Sequence, residues 1–220
     1  MDYIAKSFSD GGVWMYSILA VSIIAIAIMI ERFVTLYFRY NINAQAFMAQ
    51  IQKLVLAGNI DRAIKLCNAA PSAALARVIK AGLTRANNGE LEIQNAVEEA
   101  TLDVVPLVEK RTNSLLSLAN VATLLGLLGT IVGMIKAFQS LAKASPDERQ
   151  QQLGKNIALA MNTTAFGLIV AIPCLLAHVL LAGVTKKIIE EIDLYSVKLE
   201  NLLIARLRSG ATGAAGDRDS

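Results

Sequence analysis

Ala160, Thr164, Gly167, Ala171, Cys174 and His178 recur at steps of four, three, four, three and four, which sets them down one side of a helix. That side is small and hydroxyl-bearing. The opposite side carries Leu159, Phe166, Ile169, Val170, Leu176, Val179 and Leu180, and suits lipid or an apolar neighbour. A second stretch repeats the design: Ala122, Gly126, Gly129, Gly133 and Ala137 form a small face, with Ser117, Asn120, Thr123 and Thr130 beside it. Gly126, Gly129, Gly133 and Gly167 read as close helix packing, with Gly129-x-x-x-Gly133 of the small-xxx-small kind. Asn120 and Asn162 carry whole amides that lipid cannot solvate, so they must face protein or water. A threonine can instead satisfy itself on a carbonyl one turn back. Thr130, Thr163 and Thr164 therefore fit a wet pathway and plain interhelical hydrogen bonding equally well.

The residues that are missing narrow the chemistry further. An ion-conducting site needs a titratable or charged group at membrane depth, at a cost of ~2.5 to 3.5 kcal/mol on insertion scales. The apolar stretches of this chain hold no Asp, Glu, Lys or Arg in their interiors. The chain alone is therefore not a proton relay. His178 is the one ionisable exception, placed toward the end of its stretch where an interfacial imidazole is the ordinary explanation. Pro173 kinks that stretch and frees the carbonyl of Ile169, for packing or for gating. With a single His, no C-x-x-C and no G-x-x-x-x-G-K-[ST], neither a zinc site, a redox dithiol nor a nucleotide loop assembles, so no metal, cofactor or enzymatic activity is expected. The two cysteines, Cys67 and Cys174, do not suggest a disulfide framework.

These residues must be held by membrane-crossing helices. A mean hydropathy of +0.49 with 55% hydrophobic residues is too apolar for a soluble domain and too charged for one wholly in lipid. Three apolar runs are long enough to span. Val13 to Ile30 is uncharged for eighteen residues, about 27 Å of helix, with Trp14 and Tyr16 at one end and Tyr37 and Phe38 beyond the other. A cleaved leader does not fit it, because Asp2 and Asp10 offset Lys6 and no small-residue cleavage site follows. Leu115 to Ile135 and Ile157 to Thr185 are the second and third runs.

Basic residues set the orientation. Lys6, Lys136, Lys143, Arg149 and Lys155 make five on one face; ten from Arg32 to Arg111 and six from Lys186 to Arg218 lie on the other. By the positive-inside rule the N-terminus is outside and the C-terminus cytoplasmic. The net charge of +3 is spread along the chain and gives no case for nucleic acid.

The expected fold is an all-α membrane protein, with spans 2 and 3 extended into the cytoplasm and short helices in the cytoplasmic loop. Its segments are an outer N-terminus (1–12), span 1 (13–38), a cytoplasmic helical loop (39–112), span 2 (113–137), an outer loop (138–156), span 3 (157–185), a cytoplasmic helix (186–208) and a disordered tail (209–220). In the loop Phe47, Ile51, Leu54 and Val55 recur with helical spacing, as do Ala63, Leu66 and Cys67. Gly58-Asn59, Pro71-Ser72 and Asn87-Asn88-Gly89 punctuate it. From Glu90 no strong stop precedes span 2, so one helix is expected to run through, with Pro106 as a kink. Pro146-Asp147-Glu148 reads as a helix start.

Two segments, LLGLLGTIVGMIKAF (Leu124 to Phe138) and AMNTTAFGLIVAIPCLL (Ala160 to Leu176), resemble the signature helices of the MotA/TolQ/ExbB proton-channel family. Glu31-Arg32-Phe33, Asp61-Arg62-Ala63 and Leu66-Cys67 are weaker matches of the same kind. Three spans and a short outer loop are similar to the ExbB/TolQ branch. The resemblance covers almost the whole chain. It implies a homopentamer in a bacterial inner membrane, its second and third spans lining a central pore around an ExbD/TolR-like single-span partner. The partner's membrane Asp would supply the missing acid. It also implies that the motif threonines, here Thr130 and Thr164 with Thr163 adjacent, face the ion route. Two departures stand out: many relatives carry Glu where this chain has Leu159, and many have Pro at the place of Thr123.

The resemblance thus implies the channel or stator subunit of a motor that uses a proton or sodium gradient to energise an envelope process, with the N-terminus periplasmic. The rival is a non-conducting membrane scaffold whose small stripes serve packing only. A self-contained transporter fits less well, since no inverted repeat or broken helix pair is present.

Overall fold

The computed structural model describes residues 12–40, 42–143 and 149–216, and these are almost entirely helical. In chain order the helices are α1 (Gly12–Val34), a π-helical segment (Thr35–Tyr40), α2 (Ala44–Leu56), α3 (Ile60–Ala69), α4 (Ala74–Thr84), α5 (Glu90–Glu109), α6 (Thr112–Lys143) and α7 (Arg149–Gly216). Three helical stretches are long and apolar enough to cross a membrane, within Trp14–Phe38, Glu90–Ala142 and Arg149–Arg208. The chain divides into two compact units, one of Met1–Arg32 with Arg111–Leu180 and one of Phe33–Lys110 with Leu181–Ser220.

In the first unit, Ile18 and Ala25 of α1, Ala119 and Ala122 of α6, and Val170, Ala171 and Cys174 of α7 form one buried cluster. Val21, Met29, Leu118, Leu125 and Phe166 pack around it. The core residues of α6 and α7 are mostly small because these helices come nearly backbone to backbone. Val170 and Phe166, on the bulky side of span 3, find their apolar neighbour inside the chain. The large residues left outside, among them Ile24, Leu124, Ile131, Phe138, Ile169 and Leu176, are exposed on a single chain, as expected where lipid or another subunit is the neighbour.

In the second unit, α2 to α5 and the C-terminal part of α7 bury Met48, Ile51 and Val55, Ala63 and Cys67, Val78, Ile79 and Leu83, Ile93 and Val97, and Ile192, Leu199 and Leu203. The punctuation read in the sequence sits between helices: Gly58 (φ 77°) separates α2 from α3, and Gly89 (φ 112°) precedes α5. Both need the left-handed backbone that glycine adopts without strain. Asn43 caps α2, its side-chain oxygen accepting from the Ala46 N–H at 3.1 Å. A Cβ on Gly82 would lie 2.7 Å from Val97 Cγ2 and 2.9 Å from Leu199 Cδ2, so α4 meets α5 and α7 closely there. Both cysteines are free. Burial pushes the Cys67 thiol up to about 11, with Lys80 pulling part of the way back.

One expectation about a helix end is corrected. The helix starting at Glu90 does not run into span 2: it stops at Glu109, Lys110 is extended (φ −45°, ψ 133°), and Arg111 is left-handed (φ 63°). Pro106 is not the cause, since the Lys110 N–H still reaches the Pro106 carbonyl at 2.9 Å. Left-handed backbone is costly for a non-glycine residue and persists where surrounding contacts hold it. Here the Arg111 guanidinium donates to Glu31 Oε2 at 2.7 Å. At the other end, the bounds of α7 reach Gly216. The helix start at Pro146-Asp147-Glu148, nearly all of the outer N-terminus, and residues 217–220 lie outside the described residues.

Burial raises the Glu200 carboxyl above its ordinary value of 4.5, and repulsion from Glu98 adds to the rise. The folded chain therefore holds this proton more tightly than the unfolded one. Glu200 detracts nothing below the unfolded value, and stability falls as pH rises through the higher folded value. Glu200→Gln is accordingly expected to raise the thermal midpoint at about pH 8, with the gain vanishing at about pH 4. Circular-dichroism melts of the detergent-solubilised chain at both pH values check this; an equal gain at both would rule it out.

Candidate functional site

The site is built where α6 and α7 touch. A Cβ on Gly126 would lie 3.2 Å from Thr164 Cα and 3.3 Å from the Thr163 carbonyl, and one on Gly167 would lie 2.8 Å from the Ala122 carbonyl. A Cβ on Gly133 would meet that of Ala160 at 2.6 Å, and one on Gly129 would collide with the Thr163 methyl. All four glycines thus lie where α6 and α7 of one chain come closest.

This closeness lets Thr164 reach across. Its hydroxyl donates to the Gly126 carbonyl at 2.9 Å, and its Oγ1 lies 3.4 Å from Thr130 Oγ1. Thr130 spends its own hydroxyl hydrogen on the Leu127 carbonyl at 2.6 Å, one turn back. A hydroxyl has one hydrogen and two lone pairs. With both hydrogens taken by carbonyls, two adjacent oxygens remain as acceptors, suited to a hydrogen bond from water, a protonated carboxyl group or a hydrated cation.

The other polar residues sit elsewhere. Thr163 is 3% exposed, with its methyl against Gly129 and its hydroxyl 3.4 Å from the Leu159 carbonyl. Asn162 is half-buried and Asn120 exposed. Thr123 donates to the Ala119 carbonyl at 3.0 Å, and Pro173 lies exposed in an uninterrupted α7. Leu159 is half-buried. Among the described residues no group of three or more His, Cys, Asp or Glu could hold a metal ion.

A second polar cluster escaped the sequence reading. Arg32 is only 2% exposed, and its Nη2 donates to Thr112 Oγ1 at 3.4 Å. His178 Nδ1 lies 3.0 Å from the Thr112 carbonyl; a carbonyl only accepts, so Nδ1 carries the hydrogen. Together with Arg111 and Glu31 these residues tie α1, α6 and α7 to one another, and His178 is an anchored ring. Near the other end of the helix pair, Asn156 Nδ2 donates to Ser140 Oγ at 2.8 Å. The partners in the cluster around Arg32, Arg111 and His178 lie 66 to 80 residues apart, beyond what periodicity detects.

The sequence model of the MotA/TolQ/ExbB proton channel family matches residues 70–194, which takes in both signature helices and the helices α4 and α5 before them. The chain belongs to this family. Its relatives place it on the ExbB branch. It is 29% identical to the ExbB-like 3 protein of Synechocystis sp., named for biopolymer transport, over 76% of this chain and 79% of that one. A second Synechocystis protein, ExbB-like 1, is 31% identical over 77% of this chain and 66% of its own length. An ExbB homologue of Methanothermobacter thermautotrophicus is 23% identical over 97% of this chain and 75% of its own. The chain is therefore a multi-pass membrane protein of a channel family, and that family is not one of enzymes.

Proposed function

We propose that this chain is the channel subunit of an inner-membrane, ion-driven motor, working with an ExbD/TolR-like single-span partner that carries a membrane Asp. The observation that carries the reading is the Thr130–Thr164 pair: two acceptor oxygens 3.4 Å apart, in a membrane unit whose spans contain no acid of their own. A carboxyl group brought alongside would find its acceptors already oriented. Protonation there would neutralise the Asp and let the partner helix step to the next subunit. Each charge crossing gains ~2.3 kcal/mol per 100 mV of membrane potential.

A pentamer with spans 2 and 3 toward the pore is the assembly we favour. Asn120 is exposed on the single chain, and its amide requires a polar partner at membrane depth that a neighbouring copy, the partner helix or pore water would supply. The Synechocystis relatives are named for biopolymer transport, and we extend an energising role in the envelope to this chain, with its N-terminus periplasmic.

Reconstitution with the partner tests the reading. Proteoliposomes holding both subunits are expected to pass H⁺ or Na⁺ down an imposed gradient, those holding either alone to pass neither, and an Asp→Asn partner to abolish the flux. Flux through this chain alone would refute the partner's role. The scaffold reading draws on the Thr164–Gly126 bond, which gives the hydroxyl a packing purpose, and it predicts no flux in any of these preparations.

A further inference from the structure

Two surfaces of the second unit are left without partners by everything above. On α2, Gln50, Lys53 and Leu54, and on α3, Arg62, Lys65, Leu66 and Ala69, line an open groove of about 570 Å³. Leu54 and Leu66 are half-buried, whereas Lys53, Arg62 and Lys65 are exposed. The lining contains no acid. Five cations elsewhere pair with carboxylates of their own chain: Arg85 with Glu92, Arg111 with Glu31, Lys186 with Glu190, Lys187 with Glu191 and Arg208 with Glu90. The three cations of the groove form no ion pair among the described residues.

The complementary surface is on α5. Leu91, Asn95, Glu98, Leu102 and Glu109 fall on one stripe at helical spacing, and all are exposed. Leu91 is 69% and Leu102 68% exposed, on a helix whose other face is already packed. Glu99 and Asp103 line a separate cleft with Arg77, Lys80 and Arg85 of their own chain. Glu98 and Glu109 have no such cation among the described residues. An apolar stripe flanked by acids is what a groove with an apolar lining and basic edges accepts.

We infer that the α2–α3 groove of one chain receives the α5 stripe of a second copy, Leu91 and Leu102 entering between the helices while Glu98 and Glu109 meet Lys53, Arg62 and Lys65. Groove and stripe are different surfaces, so the contact is head-to-tail, the type that closes into a ring when its rotation permits. The inference rests on the oligomer proposed above and specifies one of its contacts.

The test pairs Lys65→Cys with Leu102→Cys in the whole 220-residue chain in nanodiscs, treated with a short bismaleimide. Cys67 and Cys174 are buried, and the single variants serve as controls. The expected result is a ladder of covalent products at multiples of the chain mass, beginning at twice it, with both cysteines present and not with either alone. Adding Lys53→Glu and Arg62→Glu is expected to lower its yield about tenfold, and adding Glu98→Lys and Glu109→Lys to these to restore it. Native mass spectrometry of the same samples reports the oligomer independently. A ring of several copies without the cross-link overturns this contact and leaves the oligomer standing; a monomer overturns both. A cross-link insensitive to charge reversal overturns the pairing of groove and stripe.

Discussion

Valine at position 164 is expected to reduce partner-dependent ion flux to background while the chain still inserts and assembles. Valine keeps the shape of threonine and removes one oxygen from the pair with Thr130 (3.4 Å) and the bond to the Gly126 carbonyl (2.9 Å). An interhelical hydrogen bond of this kind is worth ~0.6 kcal/mol on average in a membrane protein, and ~1.7 kcal/mol at most. That loss is too small to dismantle a three-span unit, so missing flux would report on the route and not on folding. Thr164→Ser, which keeps the oxygen, should retain most of the flux. Thr130→Val should also weaken it, and less than additively with Thr164→Val, because the two oxygens act on one ligand. Proteoliposome flux at matched incorporation decides the matter; normal flux from Thr164→Val would return the hydroxyl to packing alone.

The largest effect on stability is expected at Gly167. A Cβ there would lie 2.8 Å from the Ala122 carbonyl oxygen and 3.1 Å from Gly126 Cα. Both are backbone atoms, which cannot rotate aside as a side-chain tip can. Gly167→Ala should cost ~1 to 3 kcal/mol, the range for overpacking, and Gly167→Leu should push α6 and α7 apart and prevent assembly. The Thr164–Gly126 bond would be lost with it, so flux should fall along with stability, in contrast to the valine variant. Gly154, on the same helix with nothing within 4 Å of an added Cβ, is the control. Gly154→Ala should be neutral, or stabilising by ~0.5 to 1 kcal/mol from helix propensity. Thermal midpoints and size-exclusion profiles in detergent separate the cases; equal behaviour of the two alanine variants would contradict close packing as the role of Gly167.

Much of this architecture is legible in the residue order because one physical demand dominates it. A span must present about twenty apolar residues to lipid, and two helices can approach closely only where side chains are small. Both demands write a period into the chain, so the spans and the faces of Gly126, Gly129, Gly133 and Gly167 are recoverable from spacing alone. The turns at Gly58 and Gly89 are legible for a similar reason, since positive φ selects glycine.

Where spacing is silent, only the tertiary structure decided. Thr163 and Thr164 are chemically identical neighbours about 100° apart on a helix; their different surroundings, the Gly129 face for one and the Gly126 carbonyl for the other, follow from how α6 seats against α7. The break at Lys110 and Arg111 has no glycine or proline to announce it, being held by Glu31, 80 positions away. Arg32, counted in the sequence among the basic residues of one face, is buried against Thr112. The sequence by itself determined the three spans, their small faces and the missing acid, because these are properties of single helices. Which threonines lie side by side, where α6 begins, and which charges are buried depend on contacts between segments far apart in the chain, and those are settled by packing.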